Sequence, residues 1–163
     1  MERTDLTRLK TLFGDNLISP EELSRGLSQW VSSQGEAEAI TLGTVPNVSF
    51  SWETLESHAK DYLLVLGMPT INGVDITLRH LRDIFGIDPE QQEPCFYNQD
   101  WYLNETFLDR QLESRWYLLT KEVFEASRAV MPQELLEKEI SFPSAILCAY
   151  TFFAYYLSYH KPI

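Results

Sequence analysis

The sequence predicts a mainly α fold, or α+β if a small sheet forms, arranged around one apolar helix near the C-terminus. Three observations predict it. Amphipathic runs at helical spacing, bounded by caps or glycines, recur through the first 86 residues. All seven glycines lie in that half, whereas 15 of the 21 aromatics fall between Phe96 and Tyr159. The stretch from Ser141 to Tyr159 carries no charged side chain. Residues 1–163 are therefore expected to form a single domain. Its halves are a glycine-containing helical part, 1–86, and a glycine-free, aromatic-rich block, 87–163, that supplies most of the core. At 163 residues the chain can bury roughly two thirds of its extended surface, so no disulfide or metal staple is needed.

The first helix is expected over Leu6 to Phe13, where Leu6, Leu9, Leu12 and Phe13 share a face and Gly14 stops it. A second begins at the clearest cap in the chain. Ser19 accepts from the backbone, Pro20 takes the first helical position and Glu22 completes a capping box. Leu23, Leu27, Trp30 and Val31 then form the apolar face, which ends before Gly35. Residues 36–51 read as a connection, with a short strand around Val48 to Phe50. Leu55, Ala59, Tyr62, Leu63 and Leu66 predict a third helix from Trp52 to about Leu66. Gly67, Pro69 and Asn72-Gly73 force a turn, and Leu78, Leu81, Ile84 and Phe85 make a short helix closed by Gly86.

Beyond Glu105 two readings compete. Leu108, Leu112, Trp116, Leu119, Val123 and Ala126 recur at helical spacing and predict one long helix. Trp116-Tyr117-Leu118-Leu119-Thr120 is equally rich in strand-favouring side chains. Pro132 starts a shorter helix over Gln133 to Lys138. The last element, Ser141 to Tyr159, opens on Ser and Pro helix-entry signals and suits a helix enclosed on nearly all sides. A membrane span would place Tyr150, Tyr155, Tyr156 and Tyr159 at bilayer depth, so no membrane is expected. Ser144, Thr151 and Ser158 recur every seven residues, a stripe along which a neighbouring backbone can approach. Little sequence follows this helix to cover its second side. Either the first three helices wrap it, or a C-terminal segment or a second subunit does.

The charge balance narrows the function classes. Twenty-four acids against 13 bases give a net charge of −11. A nucleic acid or anionic membrane held by phosphate neutralisation needs clustered Lys and Arg, and no basic run exists, so no direct nucleic-acid binding is expected. Cys95 and Cys148 lack disulfide or zinc-knuckle spacing, and Met1 to Lys10 lacks the apolar core of a secretory signal. A cytoplasmic location is the simplest expectation.

Trp116-Tyr117-Leu118, with Lys121, Ser127, Leu136, Glu139, Pro143-Ser144-Ala145 and Tyr150, resembles a family of uncharacterised bacterial proteins over about residues 95–160. The resemblance implies a strand at Trp-Tyr-Leu and a chain that continues past the Pro-Ser-Ala helix into further strands. It thus implies that this chain is a truncated member. It implies no activity, substrate or catalytic residue.

Motifs that would carry catalysis are weak. Asp15, Asn16, Ile18, Ser19 and Glu22 echo half a calcium loop, but Thr11 and Phe13 stand where early oxygen ligands belong and Asn16 where the glycine belongs. Thr77 to Ile87 is similar to the first helix and turn of a helix-turn-helix reader. The next residues, Asp88 to Pro94, are acidic and end in a helix breaker, so Arg79 and Arg82 read as a solvated helix face. His58, His80 and His160 have no metal-ligand spacing and read as surface or capping residues. Glu53, Glu56 and Asp61 read as a solvated face. No cofactor, metal or catalytic residue is assigned.

The segment from Asp83 to Asp109 holds seven acids and no base, together with Phe85, Phe96, Tyr97, Trp101, Tyr102 and Phe107. Apolar anchors rimmed by carboxylates suit the docking of a basic protein partner, with Phe96, Tyr97, Asp100, Trp101, Tyr102 and Glu105 as contact residues. The alternative is that the aromatics point inward and the acids solvate a loop. The expected function is an acidic protein-interaction domain that docks a basic partner or the rest of a longer chain, with an oligomer through 142–159 as a further mode. Its rivals are a nucleic-acid mimic that occupies a basic groove and an enzyme with a site assembled from distant acids and histidines.

Overall fold

A computed structural model describes residues 3–35, 39–122, 125–137 and 142–163. Helix α1, Arg3–Phe13, ends where Gly14 turns into the left-handed region at φ 53°. After strand β1, Leu17–Ile18, helix α2 runs from Pro20–Ser33. The Ser19 side chain accepts from the Glu21 N–H, satisfying one of the orphan donors of the first turn. Its hydroxyl also donates to the Glu22 carboxylate. Ser19 and Pro20 thus start the helix as expected, but Glu22 closes on the Ser19 hydroxyl and not on its backbone N–H, so the reciprocal capping box is not made.

The third helix is shorter than its periodicity predicts. Helix α3 covers only Trp52–His58, and Tyr62–Gly67 is strand β2. Leu63-Leu64-Val65-Leu66 is a continuous apolar run, which suits a central strand covered on both faces as well as it suits a buried helix. Asn16 stabilises the junction by donating to the carbonyls of Ala59 and Lys60 at 3.0 and 3.2 Å.

Thr70–Ile71 and Val74–Asp75 form the hairpin β3–β4. Its two-residue turn has φ of 51° at Asn72 and 74° at Gly73, which matches the twist of the flanking strands. The expected short helix is α4, Leu78–Phe85, capped by Thr77 and closed at Gly86. No strand forms at Val48 to Phe50. That connection instead bridges Leu42 to Ile71, and its Pro46 carbonyl accepts from Trp116 Nε1 at 3.0 Å.

The long helix after Glu105 is also overturned. Thr106–Asp109 is a 3-10 turn and Arg115–Thr120 is strand β5, as the Trp-Tyr-Leu resemblance implies. Strand pairing decides the matter, because β5 lies antiparallel to β2 with Leu64 opposite Leu118 and Leu66 opposite Trp116. The helical pattern's Val123 lies outside the described residues, as does the Ala126 side chain. Helix α5 covers Pro132–Glu137, with the expected end at Lys138 outside the described residues.

The fold is α+β, with a mixed sheet in the order β1-β2-β5, β1 parallel to β2. Helix α6, Ala145–Tyr159, packs on this sheet and against α2 and α4, within one hydrophobic cluster that runs from Leu9 to Leu157. Tyr150 donates its hydroxyl to the Leu66 carbonyl at 2.9 Å, and Tyr159 donates to that of Leu17. Nine of the fifteen α6 residues are buried. Helices α2 and α4, strand β1 and the Thr106–Asp109 turn, and not the first three helices together, enclose most of this helix, but a strip at Ala145, Cys148 and Phe152 stays exposed. Among the described residues no helix is long and apolar enough to cross a membrane.

The small-residue stripe is used at one end. Gly26 of α2 lies directly on the α6 backbone at Leu157 and Ser158, Ser158 Oγ donates to the Glu22 carbonyl at 3.2 Å, and Arg25 reaches the Ser158 carbonyl at 3.4 Å. Thr151, in the middle of the stripe, is buried with its hydroxyl unpaired among the described residues.

Candidate functional site

The segment from Asp83 to Asp109 leaves the end of α4 and folds back over it through short turns rather than a regular element. Gly86, at φ 64°, closes α4, and its carbonyl accepts from the Phe96 N–H at 2.9 Å, which pins the returning chain. Phe96 then packs on Phe153 of α6 with ring centroids 5.1 Å apart. Phe85, also within the segment, is fully in the core and stacks on the same Phe153 at 4.0 Å.

The six candidate contact residues divide accordingly. Phe96 is a half-buried wall. Tyr102 is half-buried as well, since its hydroxyl accepts from Arg82 Nε at 3.2 Å and its ring lies beside Phe107. Tyr97 and Trp101 are exposed by 85% and 73%, large apolar side chains left in water. Asp100 and Glu105 are exposed as well. Trp101 meets the Tyr102 ring edge-on at 5.3 Å, so a ring fixed by Arg82 serves as its pedestal. The aromatics therefore split between inward and outward positions, and the two sequence readings each describe part of the segment.

Counting bases along the sequence missed two that arrive through space. Arg79 and Arg82 are not merely a solvated face. Arg79 makes a two-pronged pair with Asp109 at 2.8 and 3.1 Å, which holds that carboxyl below its usual range. Arg82, mostly shielded, lies 4.0 Å from Asp100 and 5.8 Å from the Tyr102 ring centre. Both come from α4, whose i, i+3 spacing aims them at the folded-back segment. That spacing is the signal in the sequence for the pairing, and it fits a solvated face equally well. The Asp88 carboxylate is occupied internally, accepting from the Glu90 N–H and from Gln91. Asp83, Glu90, Glu93 and Glu105 remain exposed without an ion pair among the described residues.

Between this segment and the uncovered strip of α6 lies a cleft of about 770 Å³. Ile87, Pro94, Phe96 and Tyr97 form one wall, Phe152 and Tyr156 the other, and Glu93 stands in the lining. The acidic–aromatic segment and the incompletely covered helix, two separate features of the sequence, thus meet at one place.

The weaker motifs resolve structurally. Asp15 pairs with Lys161 at 2.8 Å, and Asn16 also accepts from Lys121 at 3.1 Å, so the calcium-like residues are engaged in tertiary ties. The His58 ring lies 2.8 Å from the Thr54 carbonyl, and His160 adopts the left-handed cap of α6 at φ 53°. Among the described residues no cluster of three His, Cys, Asp or Glu could hold a metal ion. No protein-family model matches the chain, and no curated protein or solved structure is significantly similar to it.

Proposed function

We propose that this protein is an interaction domain that docks a basic partner protein on the Asp83 to Asp109 segment, whose Phe96 and Tyr97 also line the cleft against α6 while Asp100, Trp101, Tyr102 and Glu105 lie outside it. The observation that carries the reading is the outward placement of Tyr97 and Trp101 amid exposed carboxylates. Large aromatics left in water regain their transfer free energy when a partner covers them, and they lose little conformational entropy because they have few rotatable bonds. Trp101 is pre-oriented by its Tyr102 pedestal, which lowers the ordering cost of binding further. Carboxylates around the anchors raise the encounter rate with a basic surface and disfavour acidic competitors.

A nucleic-acid mimic draws less support, because Asp109 and Asp100 are drawn to arginines rather than set out as a phosphate-like array. The strand at Trp116 to Leu118 supports the bacterial resemblance, and two unpaired cysteines suit a reducing cytoplasm.

The test is affinity capture with wild-type protein and with Tyr97→Ala/Trp101→Ala and Asp100→Lys/Glu105→Lys variants, followed by quantitative binding to the captured protein. The expected partner has a basic contact surface, binds at least tenfold more weakly to either variant and loses affinity as salt rises. Undiminished binding to both variants would overturn the reading. Displacement of the partner by duplex DNA would favour the mimic, and loss of self-association on Phe152→Asp would identify a second copy as the occupant.

A further inference from the structure

We propose that a second cleft, between α2, α4 and α6, binds an uncharged, largely apolar small molecule through one hydrogen-bonding head group. It shares no lining residue with the cleft beneath Tyr97, and the inference does not depend on partner docking. Leu27 and Trp30 of α2 form one wall, Ile84 of α4 the opposite wall, and Phe153 and Leu157 of α6 the floor, with Ile71 of the hairpin at the mouth. The space is about 410 Å³, room for about fourteen non-hydrogen atoms at the ~30 Å³ that a water molecule occupies in the liquid. That lies within the usual range for small-molecule pockets, which are mostly apolar with a few placed polar groups.

The lining chemistry selects the occupant. Asp, Glu, Lys and Arg make up 23% of the chain, yet none of them lines this cleft among the described residues. A charged ligand would exchange its hydration for hydrocarbon walls with no counter-charge, so the body of the ligand is neutral. Aromatic surface is layered beneath it, with Trp30 tilted on Phe85 at 5.2 Å and Phe85 stacked on Phe153 at 4.0 Å. This gives a flat or chain-like apolar group a rigid platform.

Among the described lining residues Tyr150, Asn72, His80 and the Trp30 indole carry polar side-chain atoms, and all but Tyr150 are available to a ligand. Tyr150 is committed to the Leu66 carbonyl. The Asn72 side-chain oxygen accepts from the Thr41 N–H at 2.7 Å, which leaves its amide group free to donate. The His80 ring has no hydrogen-bond partner among the described residues. Asn72 is held by the hairpin turn and His80 by α4, so both line the apolar space from fixed backbone. A neutral hydroxyl or carbonyl head fits them, and an alkyl or aromatic body fits the rest.

The experiment uses 1-aminonaphthalene, an uncharged fluorescent probe small enough for this volume, with displacement by 1-decanol, decanoate and decyltrimethylammonium. Saturable one-to-one binding is expected, with 1-decanol displacing the probe at concentrations at least tenfold below either charged homologue. Val31→Trp, which fills the cleft from a half-buried position of α2, is expected to weaken the probe tenfold or more with circular dichroism unchanged. Ile71→Trp at the mouth serves the same purpose if the first variant is unstable. Tyr97→Ala, in the other cleft, is expected to leave binding unaltered. Absence of saturable binding, equal displacement by the charged homologues, undiminished binding in a folded filled variant, or loss on Tyr97→Ala would each overturn the proposal.

Discussion

Replacing Gly26 by alanine isolates the contact that joins α2 to α6. A methyl group there would stand 2.7 Å from both the Leu157 carbonyl carbon and its oxygen, and 3.0 Å from the Ser158 nitrogen. Ordinary van der Waals contact begins near 3.4 Å, so the shortfall is about 0.7 Å against backbone atoms of a helix. No rotamer change relieves it. The helices must separate or shift, stretching the Ser158 to Glu22 and Arg25 to Ser158 hydrogen bonds with them. Overpacking of this kind costs about 1–3 kcal/mol, and the rigid obstacle places it near the upper end. The gain in helix propensity from glycine to alanine, about 1 kcal/mol, opposes it. The net expectation is a loss of about 2 kcal/mol, which at roughly 2–4 °C per kcal/mol for a chain of this size lowers the melting temperature by about 4–8 °C. Urea denaturation followed by far-ultraviolet circular dichroism measures this, with Gln29→Ala on the solvent side of α2 as the control. Propensity alone gives the opposite sign, so an unchanged or raised midpoint for Gly26→Ala would refute the close-contact reasoning.

Two further outcomes concern polar groups in the interior. Thr151→Val keeps the shape of the side chain while deleting a buried hydroxyl that has no partner among the described residues. It is expected to raise stability by about 1 kcal/mol, read as a higher urea midpoint with an unchanged slope. Glu22 is buried; burial pushes its carboxyl up, but the Ser19 hydroxyl and the Lys10 ammonium, 2.9 Å away, together outweigh that and leave it below its usual range. A carboxyl lowered on folding stabilises the protein above its unfolded value of about 4.5, and the contribution is lost as pH falls through the lower folded value. Lys10→Met is therefore expected to cost about 1–2 kcal/mol at pH 7, the usual buried-pair penalty reduced because Lys10 is half exposed. The cost should shrink near pH 4 as Glu22 protonates in the variant. A pH-independent difference between the two denaturation midpoints would contradict this account.

The helix ends were legible because each rests on local chemistry. Ser19-Pro20 with Glu22, Thr77 at α4 and the glycines at 14 and 86 set boundaries through their own hydrogen bonds and φ values. The sheet was less so. Leu63 to Leu66 and Trp116 to Leu119 each fit a helical spacing, and only their mutual pairing across the chain makes them strands. The candidate site shows the same division. Its acids and aromatics were visible along the chain, but their separation into Tyr97 and Trp101 outside and Phe85 inside depends on how the segment folds back over α6. Arg79 and Arg82 read as a solvated face in sequence because their partners, Asp109, Asp100 and Tyr102, lie far along the chain and meet them only in space.

That long-range pairing also governs how the protein reaches its shape. When β2 joins β5, it closes a loop of residues 68–114 that contains the hairpin, α4 and the whole acidic–aromatic segment. Loop closure on this scale must be met before the contacts that reward it form, so the sheet sets a slower clock than the helices do. The Tyr97 and Trp101 surface is consequently expected to be a late product of folding: during refolding, helical signal should precede the burial of Phe96 against α6, and a chain that ends before Arg115 should lack the finished surface.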